Sequence, residues 1–486
     1  MATESTPLTA HAGGDHGGRA MSRRRQLITG VMVGAALAAL VVGWLVWGGG
    51  KDGSDVDVDV PTINGEALFC GLRNHEHGYI SLPNRKDDHY FYWYFPAENA
   101  TGSEPWILWL QGGPGCSGVA AIAHENGPCR INRDLTTTLN PYSWTKRANV
   151  IWLDQPTNTG FSVGSNDEVD ATEESVRENI YWFLQEFLKK HPEFLERPLY
   201  LAGESYAGHY IPATAHYIWE QNQKSASGVP SLPLTGLAIG NGLTNPIIQS
   251  AHMLDMANNS YNIKIAKDED LSKAQEAVQP CVQQIEACQT NTSVCVEALQ
   301  FCQTSLMAPF VAQHVNPLDL RMKCADVPSS EGCYDFKHVT AYMNSHAVHK
   351  YLNVSSRVKE WQECREDVEL RFLMSGDPMK RFDTQLVDLL NEGKLRLLVY
   401  VGDADLMCNW HGNLAWMEAL EWKGQTAFQT AEEHAFKLSN GTQVGLARDS
   451  PQMTFVRVFN AGHLVAMDQP AVALELISRF IDSKPF

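Results

Sequence analysis

Pro198-Leu199-Tyr200-Leu201-Ala202-Gly203-Glu204-Ser205-Tyr206-Ala207-Gly208 decides how this chain is read. Leu199 to Ala202 is a short apolar run of the kind that forms a buried strand, and Gly203 ends it. One hydroxyl follows at Ser205, and the small residues Ala207 and Gly208 open the next segment. Such an order predicts a nucleophile elbow, a strand-to-helix turn too tight for bulky neighbours. The turn holds a serine oxygen clear of the backbone, with the free N–H groups of the following helix aimed at it.

A serine hydroxyl is a weak nucleophile near neutral pH and needs a base, which in turn needs an orienting carboxylate. Working outward, two further strand ends supply candidates. Leu395-Arg-Leu-Leu-Val-Tyr-Val401 runs into Gly402-Asp403-Ala404-Asp405, and Thr454-Phe-Val-Arg-Val-Phe459 ends in Asn460-Ala461-Gly462-His463. His463 is the expected general base and Asp405 its orienter, with Asp403 as rival because spacing alone does not choose between them. The order Ser, Asp, His along the chain, each after a strand, is that of α/β-hydrolases. A fourth strand, Trp106-Ile-Leu-Trp-Leu110, feeds Gln111-Gly112-Gly113-Pro114-Gly115, where bare backbone can approach a ligand closely. The oxyanion of acyl transfer needs two preorganised N–H donors. The amide of Tyr206 is one, and that of Gly113 is expected to be the other.

With these residues in place the chain resembles the serine carboxypeptidases. The matching strings are WLQGGPGCSG (109–118), NPYSWTKRANVIWLDQP (140–156), GFSVG (160–164), GESYAGHYIP (203–212), IGNGLTNP (239–246), VYVGDADLMCNW (399–410) and FNAGHLVAMD (459–468). The resemblance implies Ser205, Asp405 and His463 as the triad, Asp405 over Asp403, and Gly113 and Tyr206 as the oxyanion hole. It implies that Glu204 and Glu125 share a proton and, with Gln111, bind the free carboxylate of a peptide. Two adjacent carboxylates cannot both ionise, so the acid that keeps its proton can donate to an anion. Without the family, Glu125 reads as a solvated helix residue. Many members carry Asn where Gln111 stands, and a Pro where Ala466 stands; both changes alter fit and leave the roles in place.

Length alone suggests about three domains for 486 residues. The wide separation of Ser205 from Asp405 argues instead for one α/β-hydrolase domain, a mixed and mostly parallel sheet, interrupted by an insertion. Residues 65–246 and 373–486 are expected to be the two parts of that core, and 247–372 a helical, cysteine-rich cap. The net charge of −18, with basic residues clustered only near the N-terminus, argues against nucleic-acid binding. No metal motif or cofactor loop is present; Asp55-Val-Asp-Val-Asp59 has Val60 where a calcium loop needs glycine. A homodimer stays open.

Eleven cysteines suggest an oxidising compartment. Cys281, Cys288, Cys295 and Cys302 recur every seven residues, so on helices they form one stripe. A turn at Asn291-Thr292-Ser293 would fold that stripe into a hairpin with nested bonds Cys281–Cys302 and Cys288–Cys295. The family resemblance implies Cys116–Cys364 and Cys324–Cys333, which leaves Cys70–Cys129. Cys408 stays a free thiol; in relatives a thiol at this place lines the pocket for the residue before the scissile bond.

Near the N-terminus, Arg23-Arg24-Arg25 precedes an uncharged stretch, and about 20 apolar residues suffice to span a bilayer. Leu27 to Trp47 supplies that length, giving a basic cytosolic tail (1–26), a signal-anchor (27–47) and a linker (48–64). An uncleaved type II anchor is expected over a cleaved signal, because the apolar run follows 26 residues of tail. Either would leave the remainder luminal or extracellular in the secretory pathway. All five glycosylation sequons, at Asn99, Asn258, Asn291, Asn353 and Asn440, fall on that side. The expected activity is release of C-terminal residues from peptides, strongest at acidic pH. Acyl transfer between small molecules shares the same triad, and a non-catalytic protective scaffold is the third reading.

Overall fold

The structure is a computed structural model describing residues 68–165, 167, 169–224, 228–311, 313–324 and 334–486. The proposed tail, anchor and linker therefore lie outside the described residues. Among the described residues no helix is long and apolar enough to cross a membrane.

In chain order the strands are β1 (Glu76–Ser81), β2 (His89–Phe95), β3 (Trp106–Leu110), β4 (Cys129–Ile131), β5 (Thr137–Leu139), β6 (Asn149–Leu153), β7 (Leu199–Glu204), β8 (Leu234–Gly240), β9 (Arg396–Gly402), β10 (His434–Lys437), β11 (Gln443–Asp449) and β12 (Met453–Val458). Ten of them form one sheet in the order β1-β2-β6-β3-β7-β8-β9-β12-β11-β10, while β4 and β5 pair separately. The six central strands from β6 to β12 run parallel. Antiparallel pairs close both edges.

Continuous apolar runs mark strands buried on both faces, and alternation then decides which face each side chain meets. On β3, Ile107 and Trp109 join one hydrophobic cluster and Trp106, Leu108 and Leu110 the other. Six helices beside the sheet or beyond it matter below: α1 (Ala120–His124), α2 (Glu173–Lys190), α3 (Ala207–Gln223), α4 (Asp268–Thr290), α5 (Cys295–Cys302) and α6 (Glu366–Ser375). A last helix, α7 (Pro470–Asp482), completes the chain. Helices α2 and α3 cover the Leu108 face with Phe183, Phe187, Tyr210 and Ile211. Helix α7 covers the other face with Leu476, Ile477 and Phe480.

Between β8 and β9 the chain is helical and builds a third cluster. Helices α4 and α5 are joined by a single turn at Thr292–Val294. Cys281 is bonded to Cys302 and Cys288 to Cys295, so the stripe closes as a nested hairpin. Ile285 and Leu299 of this hairpin pack with Ala404 and Leu406, on either side of Asp405. Cys70 is bonded to Cys129, and Cys116 to Cys364. Cys324 is also in a disulfide; Cys333 lies outside the described residues.

Candidate active site

Strand β7 extends two residues past the expected stop, through Gly203 to Glu204. Gly203 stays in the sheet because it has no side chain. A β-carbon there would lie 2.1 Å from the Leu110 carbonyl oxygen and 2.8 Å from Ala207 Cβ. Gly203→Ala is thus expected to destabilise the protein by at least about 3 kcal/mol, read as a fall in the denaturant midpoint. An unchanged midpoint would mean that the elbow is looser than this packing implies.

The turn itself places Ser205 at φ +62, a left-handed conformation in which a non-glycine residue is strained. The surroundings hold it there. Ser205 N donates to Gly240 O at 3.0 Å, and its carbonyl accepts from Gly208 N at 3.0 Å and Leu243 N at 2.9 Å. Helix α3 begins two residues later.

The glycine loop after β3 presses on this turn. A β-carbon on Gly112 would come within 2.5 Å of Tyr206 N and 2.7 Å of Ser205 Cβ. Gly113, at φ +112, takes a conformation that side chains disfavour. Among the described residues, neither Gly113 N nor Tyr206 N is engaged by a protein acceptor. Both stay available to a ligand oxygen. The Tyr206 hydroxyl donates to Asp377 Oδ1 at 2.7 Å, anchoring the residue that carries one of these amides.

Asp405 and His463 meet from the ends of neighbouring parallel strands, β9 and β12. His463 Nδ1 lies 2.8 Å from Asp405 Oδ2, and both residues are buried. Asn241 Nδ2 donates to the same carboxylate oxygen at 2.7 Å, and Gly402 N donates to Asn241 Oδ1 at 3.2 Å, which fixes the amide's orientation. The other oxygen, Oδ1, accepts from Met407 N and Cys408 N at 3.0 and 3.3 Å. Asp403 faces elsewhere: it accepts from the Tyr261 hydroxyl and from Asn460 N at 3.0 Å, bracing the loop that carries His463.

Glu125 caps the end of α1 and is only 1 % exposed, so it is no solvated helix residue. It lies against Glu204 in a buried pair. Gln111 Nε2 donates to Glu204 Oε1 at 2.9 Å, and Trp109 Nε1 fixes that amide by donating to Gln111 Oε1 at 2.8 Å. Among the described residues neither oxygen of Glu125 accepts a hydrogen bond from an N–H or hydroxyl group, and the His124 imidazole stands off Oε1 at 3.8 Å. Burial, then mutual repulsion, pushes Glu204 well above the ordinary carboxylate range; burial also raises Glu125. Such a pair retains a proton at pH values where an exposed glutamate has lost it.

Cys408 is a free, buried thiol that lines a cavity of about 180 Å³ together with Ser205, Tyr206 and Gly113. Its sulfur lies within 4.8 Å of donor atoms of Asp405 and His463, which is metal-site spacing. The chemistry disfavours a metal there. Asp405 is already committed to four hydrogen bonds, and burial beside its charge raises the Cys408 pKa, so the thiol is not the thiolate that metals prefer.

Three residues at the site carry no sequence assignment. Asn241, one residue beyond β8, orients Asp405. Asp377 anchors Tyr206. His124, stacked on Phe336, bonds through Nε2 to Glu363 Oε1 at 3.0 Å beside Glu125. Asn241 was findable as a polar residue at a strand end between the serine and aspartate strands; the other two follow only from packing.

Residues 69–483 match the sequence family described as serine carboxypeptidase. Serine carboxypeptidase-like 47 of Arabidopsis thaliana is 37 % identical over 413 residues, covering 84 % of this chain and 79 % of that protein. Carboxypeptidase Y homolog A of Arthroderma gypseum is 35 % identical over 456 residues, with 90 % and 81 % covered. Among solved structures, Kex1Δp, a prohormone-processing carboxypeptidase from Saccharomyces cerevisiae, superposes with a TM-score of 0.74 at 28 % identity, over 84 % of this chain and 91 % of its own. With a family match across nearly all the described residues and the α/β-hydrolase sheet beneath it, this chain belongs to the serine carboxypeptidase family and is a peptidase hydrolase.

Proposed function

We propose that the protein removes single residues from the C-termini of peptides through a Ser205–His463–Asp405 triad, most effectively at acidic pH. The observation that carries the substrate reading is the buried Glu125–Glu204 pair with Gln111: Glu204 ends β7 just before Ser205, Gln111 opens the neighbouring glycine loop, and Glu125 caps α1. Any acyl-transfer enzyme can use the triad. An acid pair that keeps one proton suits a substrate presenting a carboxylate.

In this reading the terminal carboxylate accepts hydrogen bonds from Gln111 and from the protonated member of the pair. The scissile carbonyl then lies at Ser205, with its oxygen toward the amides of Gly113 and Tyr206. Ser205 Oγ attacks, and His463 takes its proton and passes it to the leaving amino group. The acyl-enzyme is cleaved by water that His463 activates. Asp405 holds the imidazole tautomer through the Nδ1 contact.

The pH dependence has a definite sign. Both glutamates are raised, so the functional proton is present at low pH and is lost as pH climbs through the shared pKa. Km for a blocked dipeptide with a free carboxylate is expected to rise over that range, with kcat changed less. The corresponding dipeptide amide or ester should show no such rise. Parallel profiles for acid and ester would remove the assigned role of the pair. The same shifts act on stability: the folded protein holds a proton that the unfolded chain releases above the ordinary glutamate pKa, so this contribution weakens as pH rises.

The rest of the organisation is proposed on the same footing: a two-part core (65–246 and 373–486), a cap (247–372) and a type II anchor over 27–47. The catalytic part would then lie in the lumen of the secretory pathway or outside the cell. All five sequon asparagines, Asn99, Asn258, Asn291, Asn353 and Asn440, are exposed, which supports glycosylation.

A further inference from the structure

The cavity at Ser205 is lined by apolar side chains, among them Leu243, Met253, Leu306 and Met379, yet it contains a carboxyl group. Glu369 of α6 lines it while only 9 % exposed. Among the described residues its carboxyl makes no ion pair, and the described wall includes no arginine, lysine or histidine. Burial therefore pushes Glu369 up to about 8, with a smaller contribution from Glu366 on its own helix. The other titratable groups of the wall are the Cys408 thiol and the Tyr206 phenol, the latter bonded to Asp377.

Glu369 is held in place. Cys364 is bonded to Cys116 of the glycine loop, and Arg365 N donates to Gly115 O at 2.9 Å. Val368 packs against Gly115, and Glu369 N donates to Arg365 O at 3.0 Å. The first turn of α6 is thus clamped to the loop that carries the proposed oxyanion amide. An acid without a counter-ion in an apolar chamber is costly to keep, and a rigid mount beside the nucleophile suits recognition.

The carboxylate anchors Gln111, Glu125 and Glu204 are not part of this wall. On the proposed function, on which this inference rests, the cavity receives the residue preceding the scissile bond. We propose that Glu369 makes the cavity selective for a basic residue at that position. The aliphatic stem of lysine or arginine lies along the methionine and leucine walls, and its charged head meets the carboxyl. A docked cation favours the ionised carboxylate, so the Glu369 proton is released to solvent and an ion pair forms that the empty site lacks.

The test compares full-length protein on blocked dipeptides with one C-terminal residue and lysine, arginine or methionine before the scissile bond, near neutral pH. The kcat/Km ratio of lysine to methionine is expected to exceed about 10 in the wild type, and Glu369→Gln to lower that ratio by about 10–100-fold. Glu369→Asp, which keeps the charge, should retain more of the preference. A wild-type ratio at or below one, or a ratio unmoved in Glu369→Gln, overturns the inference. A second readout separates it from the peptidase reading: labelling of Ser205 by fluorophosphonates bearing an aminobutyl or a butyl group. Faster labelling by the aminobutyl probe in a protein that releases no C-terminal residue would sustain the pocket assignment and sink the proposed function. No preference between the probes overturns the pocket assignment.

Discussion

Ser205→Ala is expected to lower kcat for release of a C-terminal residue by about a million-fold and to abolish labelling by a fluorophosphonate. The magnitude follows from what remains. Without the oxygen there is no acyl-enzyme, and only binding and the amides of Gly113 and Tyr206 still favour attack by water. Folding should survive, because alanine keeps the β-carbon that already tolerates φ +62 and the three backbone hydrogen bonds of residue 205 are untouched. On the proposed triad, serine and imidazole act as one unit, so adding His463→Ala to Ser205→Ala should cost little more than either change alone. Activity near wild type in the single variant would show that Ser205 is not the nucleophile. A double variant far below both singles would mean that the two residues serve separate steps.

The contrast between what could and could not be read from the chain has a physical origin. Ser205, Asp405 and His463 each follow an apolar run that forms a parallel strand, and parallel strands advertise themselves because both faces are buried. The nested hairpin of cysteines was legible for a similar reason: a seven-residue spacing keeps side chains on one stripe of a helix. The antiparallel edges were not. Strand β10, His434–Lys437, alternates weakly and has two exposed ends, so nothing in its pattern separates it from a loop.

Glu125 failed as a local reading because its burial is a tertiary effect. Helix α1 spans only Ala120–His124, and the carboxyl at its end is covered by Glu204, distant in the chain. Only the family resemblance pointed to it. Asp377 and Glu369 belong to the same class. Each is an acid on or beside a helix whose sequence looks solvated; Glu369 is buried where α6 is pinned to the glycine loop through Cys364, and Asp377 where its carboxyl accepts from the Tyr206 hydroxyl and Glu173 N. Such residues can be found only once the contact is known.

Asp405→Asn should lower kcat by about 10⁴-fold with little loss of binding, and the hydrogen bonds around the carboxylate say why. Oδ1 accepts from two backbone N–H groups, those of Met407 and Cys408, so the asparagine carbonyl must keep that side. The new NH₂ is then forced to the Oδ2 position, where it faces His463 Nδ1 and the amide of Asn241. Asn241 cannot turn to accept from it, because its own oxygen is held by Gly402 N. The NH₂ therefore donates to Nδ1, which leaves the imidazole proton on Nε2. An Nε2–H imidazole cannot accept the proton of Ser205. Asn241 Nδ2 also loses its acceptor, so a stability loss of about 1–3 kcal/mol should accompany the kinetic one. Raising the pH should recover part of the rate, as hydroxide replaces the missing base. Asp403→Asn is the control: that carboxylate bonds Tyr261 and Asn460, and its loss should loosen the His463 loop without exchanging the tautomer. Equal kinetic losses in the two variants would contradict the assignment of Asp405 as the group that orients His463.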